Sequence, residues 1–496
     1  MQITKSERPN IVIILADDMG YGDPGCYNDE SKIPTPHIDQ LAKEGRRFTD
    51  AHAAASVCTP TRYGLLTGRY CWRTALQRSA LWSWDPPLIE ANRLTLPKML
   101  QQSGYNTAAI GKWHLGWDWP LEGGGYIRDE FDGHTLPEAM RLDYGRKINF
   151  KEATQNGPTA RGFDYFFGVD SPNGPPYCFI KNDKTVGVPS IWKEEGMFGV
   201  LTTEFSTQSA QFERAHPGPA LPAWDLSTLT PTITQEAVQY IYQQSEEKPF
   251  LLYLPLPAPH TPIAPSAHFI GKSKAGWYGD FVHQLDWSVG QIREALELNG
   301  LAENTLVIVT SDNGPAHRDG TEMSGAVGSL KQYKHNPSRP WRGVKSDIWE
   351  AGHRVPFVAH WPAHIPSNTV SDEPILLNDL MRTIAGIIDY ELPKEACEDS
   401  FDIRAALFNQ TTSPIRDQMI FHSGNGMFAI RQGLWKLILG QGSGGGLLPS
   451  LKEGPAGQLY HLGEDPGEQD NLYDKNTEMV RKLSQLLIDL KQQGHS

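Results

Sequence analysis

Four apolar segments of the chain end in polar residues that a strand does not require. They are IVIILADD at 11–18, NTAAIGKWHLG at 106–116, FLLYLPLPAPHTP at 250–262 and TLVIVTSDNG at 305–314. Nearly continuous Val, Ile and Leu runs of this length are typical of strands buried on both faces, as in a parallel sheet covered by helices. The pattern therefore predicts four inner strands of such a sheet.

Segments with helical spacing alternate with these strands. They are HIDQLAKEGRRF at 37–48, TLPKMLQQSG at 95–104, TQEAVQYIYQQS at 234–245 and DWSVGQIREALELNG at 286–300. This alternation predicts a large doubly wound α/β domain with a mostly parallel sheet and flanking helices, in which ligands bind beyond the carboxyl ends of the strands. The polar strand ends fall at that edge. A role as simple turn residues would explain such polar residues at the end of one strand, but it is a poor explanation for four strands that end alike.

The pattern changes twice along the chain. Between 118 and 235 Gly, Pro and aromatic residues dominate, which predicts long loops around the ligand site. After 411 the short runs MIFHS, GMFAIRQGLWKLIL and GQLYHL precede a helix with one apolar face. We therefore expect a main domain over 1–410 and, over 411–496, a small subdomain of antiparallel strands with one terminal helix. The apolar face of that helix consists of Met479, Val480, Leu483, Leu486, Leu487 and Leu490.

Charge and composition argue against two classes of partner. The 496 residues have a net charge of −13, whereas nucleic-acid binding requires a basic face that is not evident. No apolar run approaches the roughly 18 residues of a membrane span. The start, MQITKSERPN, lacks the apolar region of a signal peptide. We expect a periplasmic or secreted protein whose signal peptide is absent from this chain, with a cytoplasmic protein as the alternative.

The segment SVCTPTRYGLLTGRY places Cys58 at the beginning of a predicted helix, with Pro60 near its start and Gly68 at its end. A helix N-terminus favours an anion, and a thiol there can become a nucleophile. A buried structural cysteine is the alternative. The cysteines are too scattered for a disulfide scaffold, although up to two bridges are possible. They are Cys26, Cys58, Cys71, Cys178 and Cys397.

The residues around Cys58 resemble a known family signature. CTPTR followed by YGLLTGR resembles the signature of the type I sulfatases, in the alkaline phosphatase superfamily, and GKWHLG resembles their second signature. ILADDMGYGD, PHTP, SDNGP and RGVKSDIWEAGHRVPF stand in the family's order, so the resemblance spans about 8–365. In that family a separate enzyme converts the cysteine to formylglycine. The resemblance thus implies that Cys58 is the precursor of the nucleophile and that a formylglycine-generating enzyme is a maturation partner.

A cation site is predicted where two of the strands end. Asp17, Asp18, Asp312 and Asn313 offer only oxygen ligands, and such a set suits a hard cation, Ca²⁺ before Mg²⁺. The resemblance implies the same ligands, usually for calcium. A structural calcium site remote from catalysis is the alternative.

The resemblance also assigns roles to other polar residues. Lys112 and Lys345 would bind sulfate oxygens, and Arg62 would hold the hydrated formylglycine. His114 would take a proton from that hydrate, and His260 would protonate the leaving alcohol while binding substrate. The positive charges and the cation would make the pocket electropositive, because more distant carboxylates are screened over about 8 Å at physiological salt.

Tryptophans and a polar loop predict a carbohydrate substrate. Rings stack on sugars and polar groups bind their hydroxyls, although core packing of most of these tryptophans is the alternative. The residues are Trp72, Trp82, Trp84, Trp117 and Trp119, with the loop 316–322 that contains His317 and Arg318. We expect hydrolysis of sulfate monoesters on a sulfated carbohydrate. The alternatives are a phosphatase or phosphonate monoester hydrolase of the same superfamily, and an inactive, calcium-stabilised glycan-binding protein.

Overall fold

A computed structural model describes residues 8–131, 133–194, 215–316, 332–411, 413–445 and 454–496. Its strands are β1 (Asn10–Ala16), β2 (Arg46–Phe48), β3 (Ala51–His52), β4 (Asn106–Lys112), β5 (Tyr165–Val169), β6 (Ile180–Lys181), β7 (Lys184–Thr185), β8 (Ile191–Lys193), β9 (Gly218–Ala220), β10 (Phe250–Pro255), β11 (Thr305–Ser311), β12 (Phe357–His360), β13 (Thr369–Ser371), β14 (Ile375–Leu376), β15 (Gln418–His422), β16 (Phe428–Gln432), β17 (Trp435–Ile438) and β18 (Gln458–His461). Its α-helices are α1 (Pro36–Glu44), α2 (Cys58–Thr67), α3 (Leu96–Gln102), α4 (Ile127–Glu130), α5 (Glu138–Gly145), α6 (Leu229–Tyr242), α7 (Gly276–Leu298), α8 (Glu350–His353), α9 (Asp379–Ile387), α10 (Arg404–Leu407) and α11 (Thr477–Gln493).

The centre of the molecule is a ten-stranded sheet in the order β13-β2-β12-β11-β1-β10-β4-β5-β6-β7. Strands β4, β10, β1 and β11 are parallel, and Ile13 of β1 lies between Tyr253 and Ile308. Alternate residues of β1 enter different hydrophobic cores, since Ile13 packs in one and Ile14 in the other. Both faces of the sheet are therefore covered, and the predicted doubly wound α/β architecture is confirmed.

The bounds of several predicted helices differ in the structure, and two differences change the fold most. Helix α1 ends at Glu44, and residues Arg46–Phe48 form strand β2 between β12 and β13. Helix α7 begins at Gly276, well before the predicted start at Asp286. Pairing with two neighbouring strands outweighs the apparent helical spacing of the sequence around Arg46.

The prediction of long loops over 118–235 was wrong for part of that segment. Strand β5 pairs in parallel with β4, placing Phe166 opposite Ala109, and β6 and β7 continue the sheet beyond it. Short aromatic runs form strands when a neighbouring strand is available for pairing. The runs themselves are too short for their periodicity to predict a strand.

The C-terminal part contains the predicted antiparallel sheet and terminal helix. Strands β15 to β18 form a four-stranded antiparallel sheet. Leu483, Leu487 and Leu490 of α11 are buried and pack in the same core as the sheet residues. This confirms the predicted architecture, while the boundary between 410 and 411 stays a prediction.

Buried ion pairs join this second sheet to the main domain. Lys436 Nζ of β17 lies 3.0 Å from Glu350 Oε1 and 2.9 Å from Glu468 Oε1. Its Nζ is also 3.1 Å from His353 Nε2. His52, Glu350 and His353 are close enough together to bind a metal ion. However, both ring nitrogens of His52 and of His353 already contact protein groups: the two Nδ1 atoms lie 3.0 Å apart, His52 Nε2 contacts Asp50, and His353 Nε2 contacts Lys436. We therefore interpret the cluster as a structural network.

Among the described residues, none of the helices combines the length and apolar character of a membrane span. All five cysteines are free thiols. The disulfide bridges that the sequence allowed are therefore not formed.

Candidate active site

The polar strand ends predicted from the sequence meet at one edge of the sheet. Asp17 and Asp18 follow β1, Asp312 follows β11, Lys112 ends β4 and His260 lies beyond β10. The four strands are adjacent and parallel. Their carboxyl ends therefore bring residues from distant parts of the chain to one site.

Cys58 is the first residue of helix α2, as the sequence predicts. The helix ends at Thr67, and the following Gly68 adopts the left-handed φ of 66° and donates its N–H to Gly64 O. Thr59 Oγ1 donates to His114 O over 3.0 Å, which fixes the helix start against the end of β4. Cys58 lines a cavity of about 540 Å³. Asp18, His114, His260 and Lys345 line the same cavity.

Each carboxylate at this edge is paired with a cation. Lys112 Nζ donates to Asp17 Oδ2 over 2.7 Å, and Arg62 Nη2 donates to Asp312 Oδ2 over 2.7 Å. Lys345 Nζ lies 2.7 Å from Asp18 Oδ1 and donates to Asp18 Oδ2 over 2.8 Å. The three carboxylates are thus held close together within a buried site.

The pKa values show the electrostatic consequence of this crowding. Burial would raise the pKa of Asp17, but the neighbouring cations, Lys112 foremost, hold it below its ordinary value. Burial and then the Asp17 carboxylate raise the pKa of Asp312 well above its ordinary value, despite Arg62. A divalent cation bound between the carboxylates would remove this mutual repulsion.

Two buried oxygens at this edge accept no hydrogen bond from any described residue. They are Asp17 Oδ1, from which Arg62 Nη2 is 3.6 Å away, and Asn313 Oδ1. The amide of Asn313 is oriented by its Nδ2, which donates to Asp18 Oδ1 over 2.7 Å and to Gly314 O over 2.9 Å. An unpaired buried oxygen costs about 1–3 kcal/mol. A hard cation would bind both oxygens, so the residues present fit the predicted Ca²⁺ or Mg²⁺.

The backbone is strained at two of the strand ends. Asp18 and His114 adopt left-handed φ values of 72° and 54°, which cost about 1–3 kcal/mol for residues other than glycine. The Asp18 N–H donates to Asp312 Oδ1 over 3.2 Å and the next N–H, of Met19, donates to Ser311 Oγ over 3.0 Å. These bonds hold the strained turn in place.

The loop that follows β1 is fixed by Asp23, a residue that the sequence analysis missed. The buried Asp23 carboxylate accepts from Gly20 N over 2.7 Å, from Tyr278 Oη over 2.5 Å and from His335 Nε2 over 2.8 Å. The acidic loop is thereby attached to helix α7 and to the segment before Lys345. The only local signal is the position of Asp23 in DMGYGD.

His114 is held by one ring nitrogen, and its other ring nitrogen is left unbonded. Its Nε2–H donates to Leu81 O over 2.8 Å, while Nδ1 is buried without a hydrogen-bond partner among the described residues. Burial and then the charge of Lys112 lower the pKa of His114 to about 3. The imidazole is therefore neutral at pH 7, with its lone pair on Nδ1.

His260 lines the same cavity and contacts the acidic loop. Its Nδ1–H donates to Thr261 O over 2.5 Å, and its Nε2 is 3.8 Å from Asp18 Oδ2. Burial and then Lys345 lower the pKa of His260 to about 3. A bound anion beside Nε2 would raise this pKa again, because it favours the charged imidazolium.

Arg62 and Lys112 bind acidic residues of the site but do not themselves line the cavity. Arg62 is fully buried, and its Nη1 donates to Lys112 O over 3.2 Å. Lys345 lines the cavity, and Asp18 keeps the pKa of Lys345 above its ordinary value although burial opposes this. The ammonium group of Lys345 is therefore charged and accessible to a ligand.

The structure brings ten of the predicted site residues together. They are Asp17, Asp18, Cys58, Arg62, Lys112, His114, His260, Asp312, Asn313 and Lys345. The other two, His317 and Arg318, lie outside the described residues. The catalytic, metal-binding and substrate-binding roles of all twelve stay predictions at this point.

The suggested tryptophan rim was wrong for four of its five members, and the alternative, core packing of most of them, is confirmed. Only Trp82 lines the cavity, whereas the other four are buried. Trp84 and Trp119 pack edge to face with their ring centroids 5.2 Å apart. Large aromatic side chains stabilise a core more than they stabilise an exposed rim, which explains the difference. The four buried residues are Trp72, Trp84, Trp117 and Trp119.

Other cavity residues were missed because they come from separate segments. Ser171 and Asn173 follow β5, and Asn425 lies in the turn between β15 and β16. Ser79 N donates to Gly424 O over 2.7 Å, and Gly424 N donates to Ser346 O over 2.9 Å. The second sheet thus forms part of the cavity wall, which no local sequence pattern indicates.

Comparison with known proteins identifies the class of enzyme that this sheet and its polar edge form. Residues 9–390 match the family model described as Sulfatase. This match, together with the named sulfatase relatives, shows that the chain is a sulfuric ester hydrolase. The chain belongs to the sulfatase family.

Named relatives extend over nearly the whole chain. It is 32% identical to an N-acetylgalactosamine-6-O-sulfatase of Bacteroides thetaiotaomicron, covering 98% of this chain and 94% of the relative. It is 30% identical to the N-acetylgalactosamine-6-sulfatase of Sus scrofa, covering 98% and 86%. A solved structure, from a study of glycosaminoglycan metabolism by B. thetaiotaomicron, is similar with a TM-score of 0.81 and 29% identity, covering 98% of this chain and 100% of that one.

Proposed function

We propose that this sulfatase hydrolyses the 6-sulfate ester of an N-acetylgalactosamine residue in a sulfated carbohydrate. The names of two relatives support this choice of substrate. The observation that supports the chemistry most directly is the cavity in which Cys58, His114, His260 and Lys345 face one space. A sulfate ester bound there would meet a positive charge, two imidazoles and the residue at the start of α2.

A divalent cation, Ca²⁺ rather than Mg²⁺, is part of the proposal. Asp17, Asp18, Asp312 and Asn313 would hold it, and the unpartnered Asp17 Oδ1 and Asn313 Oδ1 support this assignment. Four oxygen ligands without an imposed octahedral geometry favour calcium. When bound, the cation supplies a Lewis acid for a sulfate oxygen and lowers the pKa of a neighbouring hydroxyl.

Cys58 is the proposed precursor of formylglycine, formed by a separate formylglycine-generating enzyme. The hydrated aldehyde supplies one hydroxyl that attacks sulfur and a second that allows sulfate to be expelled. The buried position of Cys58 at the start of α2, next to the cavity, supports this role. Arg62 does not line the cavity and would stabilise the site through its hydrogen bond to Asp312.

The histidines move protons in opposite directions. His114 Nδ1, which has no hydrogen-bond partner among the described residues, would accept the proton of the second hydroxyl. That hydroxyl oxygen would then form the aldehyde C=O bond as the C–O bond to the sulfate breaks and sulfate leaves. His260 Nε2 would give a proton to the bridging oxygen as the alcohol leaves, after bound sulfate has raised its pKa. Lys112 and Lys345 would balance the charge that develops on the sulfate oxygens.

Three further expectations belong to this proposal. His317 and Arg318 would bind the sugar at the rim of the cavity. The protein would act outside the cytoplasm, after export. Its substrate would be a soluble or polymeric glycan and neither a nucleic acid nor a lipid bilayer, in line with the net charge of −13.

Sulfate release by the mature protein tests the proposal. The full chain is co-expressed with a formylglycine-generating enzyme, conversion at Cys58 is measured by mass spectrometry, and release is compared for the 6-sulfate, 4-sulfate and 6-phosphate of N-acetylgalactosamine. We expect the 6-sulfate to be preferred and Cys58→Ala to abolish turnover. Cys26→Ala, which removes a partly exposed thiol, is the matched control. Preference for the phosphate, or full activity of Cys58→Ala, would contradict the proposal.

A further inference from the structure

A second cavity lies beside the candidate active site and shares part of its wall. Its volume is about 500 Å³. Ser79, Ala80 and Asn425 line both cavities. A ligand longer than one sugar could therefore extend from the first cavity into the second without leaving the protein surface.

The walls of the second cavity are fixed by contacts with each other and with a third segment at Gly444. The loop 75–80 forms one wall and the β15–β16 turn forms the other. Ser79 N donates to Gly424 O over 2.7 Å, and Asn425 N donates to Gly444 O over 3.1 Å. Gly426, with a left-handed φ of 82°, lies so close to Arg78 that an added Cβ would be 3.1 Å from Arg78 Cβ. The cavity is thus formed by fixed backbone, which favours binding of a rigid ligand.

Arg78 gives this cavity its charge. It is the only charged side chain among the described residues that line the cavity. Arg78 is exposed and makes no hydrogen bond or ion pair with any described residue. By contrast, the nearby Arg73 is bound to Asp399 at 2.9 Å. A free guanidinium with its planar set of donors is suited to a carboxylate or a sulfate.

Neutral polar side chains line the same cavity as Arg78. Gln77, Thr135 and Asn425 line the same cavity and offer both donors and acceptors. Sugar hydroxyls require this combination. The lining therefore fits an anionic sugar better than a small inorganic anion, which would need several charged donors in a closed site.

We propose that the second cavity is a subsite for the sugar linked to the sulfated residue, and that Arg78 binds an anionic group on that sugar. The group is the carboxylate of a uronic acid or a second sulfate, since both present oxygens to a guanidinium in the same way. The inference rests on the proposed carbohydrate sulfatase function and extends it from one residue to an acidic oligosaccharide.

Substitution of Arg78 tests the subsite in the mature full-length enzyme. The substrates are 6-sulfated N-acetylgalactosamine alone, the same residue linked to glucuronic acid, the carboxyl-reduced form of that disaccharide, and a disaccharide with a second sulfate on a neutral partner sugar. For Arg78→Ala we expect kcat/KM on an acidic disaccharide, divided by that on the monosaccharide, to fall at least about fivefold. The loss should be in KM. Arg481→Ala, at an exposed position on α11, is the matched control.

The substrate series separates the possible outcomes. A loss confined to the glucuronate substrate, or to the doubly sulfated one, supports the subsite and identifies its anion, while the carboxyl-reduced disaccharide should not respond to Arg78. An unchanged ratio on both acidic disaccharides, with a thermal midpoint equal to that of the wild type, would overturn the subsite. Turnover of an aryl sulfate without turnover of any sulfated sugar would instead overturn the proposed carbohydrate function.

Discussion

Asp17 and Asn313 show how single atoms define this site. Each has a buried side-chain oxygen without a hydrogen-bond partner, although the surrounding groups are densely bonded. A buried oxygen without a hydrogen bond is destabilising. Other buried atoms of this protein also lack a partner among the described residues, but these two oxygens lie at the same sheet edge as the three carboxylates. The proposed cation would compensate both of them.

Removal of one of these oxygens should weaken metal binding. For Asn313→Ala we expect the Ca²⁺ affinity to fall at least about tenfold, because a ligand and the orienting bond to Asp18 are both lost. Calorimetric titration of chelator-treated protein measures this directly. Calcium at 100 times its Kd should also stabilise the wild type by about 2.7 kcal/mol. Equal affinity in Asn313→Ala and in the control Asn149→Ala would contradict the assignment.

His422, which is not one of the predicted site residues, should make the free energy of unfolding depend on pH. Burial lowers the pKa of His422 to about 4 in the folded protein, against about 6.5 in the unfolded chain. Between these values the unfolded chain binds the proton and the folded chain does not. Acidification from about pH 6.5 to 4 therefore favours unfolding, by about 1.4 kcal/mol per pH unit for this one proton.

Denaturant unfolding at several pH values checks this linkage. In His422→Asn the fall in unfolding free energy between pH 6.5 and 4.5 should be smaller than in the wild type by about one proton's contribution. His268→Asn, at an exposed position, controls for the loss of a histidine. If the unfolding free energy falls with pH equally in the wild type and in His422→Asn, burial of a neutral His422 does not cause this pH dependence.

Among the elements of the fold, the loop after β1 depends on contacts with other segments. Asp23 attaches this loop to α7 through Tyr278 and to the segment before Lys345 through His335. The acidic residues and Lys345 are thereby kept in one arrangement. Asp23 itself lines no part of the cavity, so its effect on the site is one of positioning.

Substitution of Asp23 should loosen this arrangement. In Asp23→Asn the charge that pairs with His335 is lost while the size of the side chain is kept, and we expect Ca²⁺ affinity to fall about tenfold to a hundredfold. Calcium titration followed by thermal unfolding provides a readout that is independent of turnover. Asp29→Asn, an exposed change in the same loop, should bind calcium like the wild type. Wild-type affinity in Asp23→Asn would rule out a positioning role.

At the scale of the whole molecule, the second sheet contributes to the wall of the candidate active site. The β15–β16 turn lines the cavity, and Lys436 of β17 is buried between Glu350 and Glu468. Removal of one partner leaves the other charges buried without compensation, which costs far more than loss of an exposed ion pair.

We therefore expect Lys436→Met to destabilise the entire chain. The free energy of unfolding should fall by about 3–5 kcal/mol, whereas Lys482→Met at an exposed position of α11 should change it by less than about 0.5 kcal/mol. Urea unfolding followed by both tryptophan fluorescence and circular dichroism measures this change. A separate early transition of the second sheet alone would show that this network does not couple the two parts.

The sequence by itself determined the inner strands, the helix at Cys58 and the residues that gather at the sheet edge. These features are local, because apolar runs specify buried strands and the residues that follow them must lie at the carboxyl edge. Only the tertiary structure decided that Arg46–Phe48 forms a strand, that Trp84 and Trp119 are core residues, and that Asn425 reaches the cavity. Strand pairing, burial and contacts between distant segments depend on which surfaces meet after folding, and no local period of the chain encodes them.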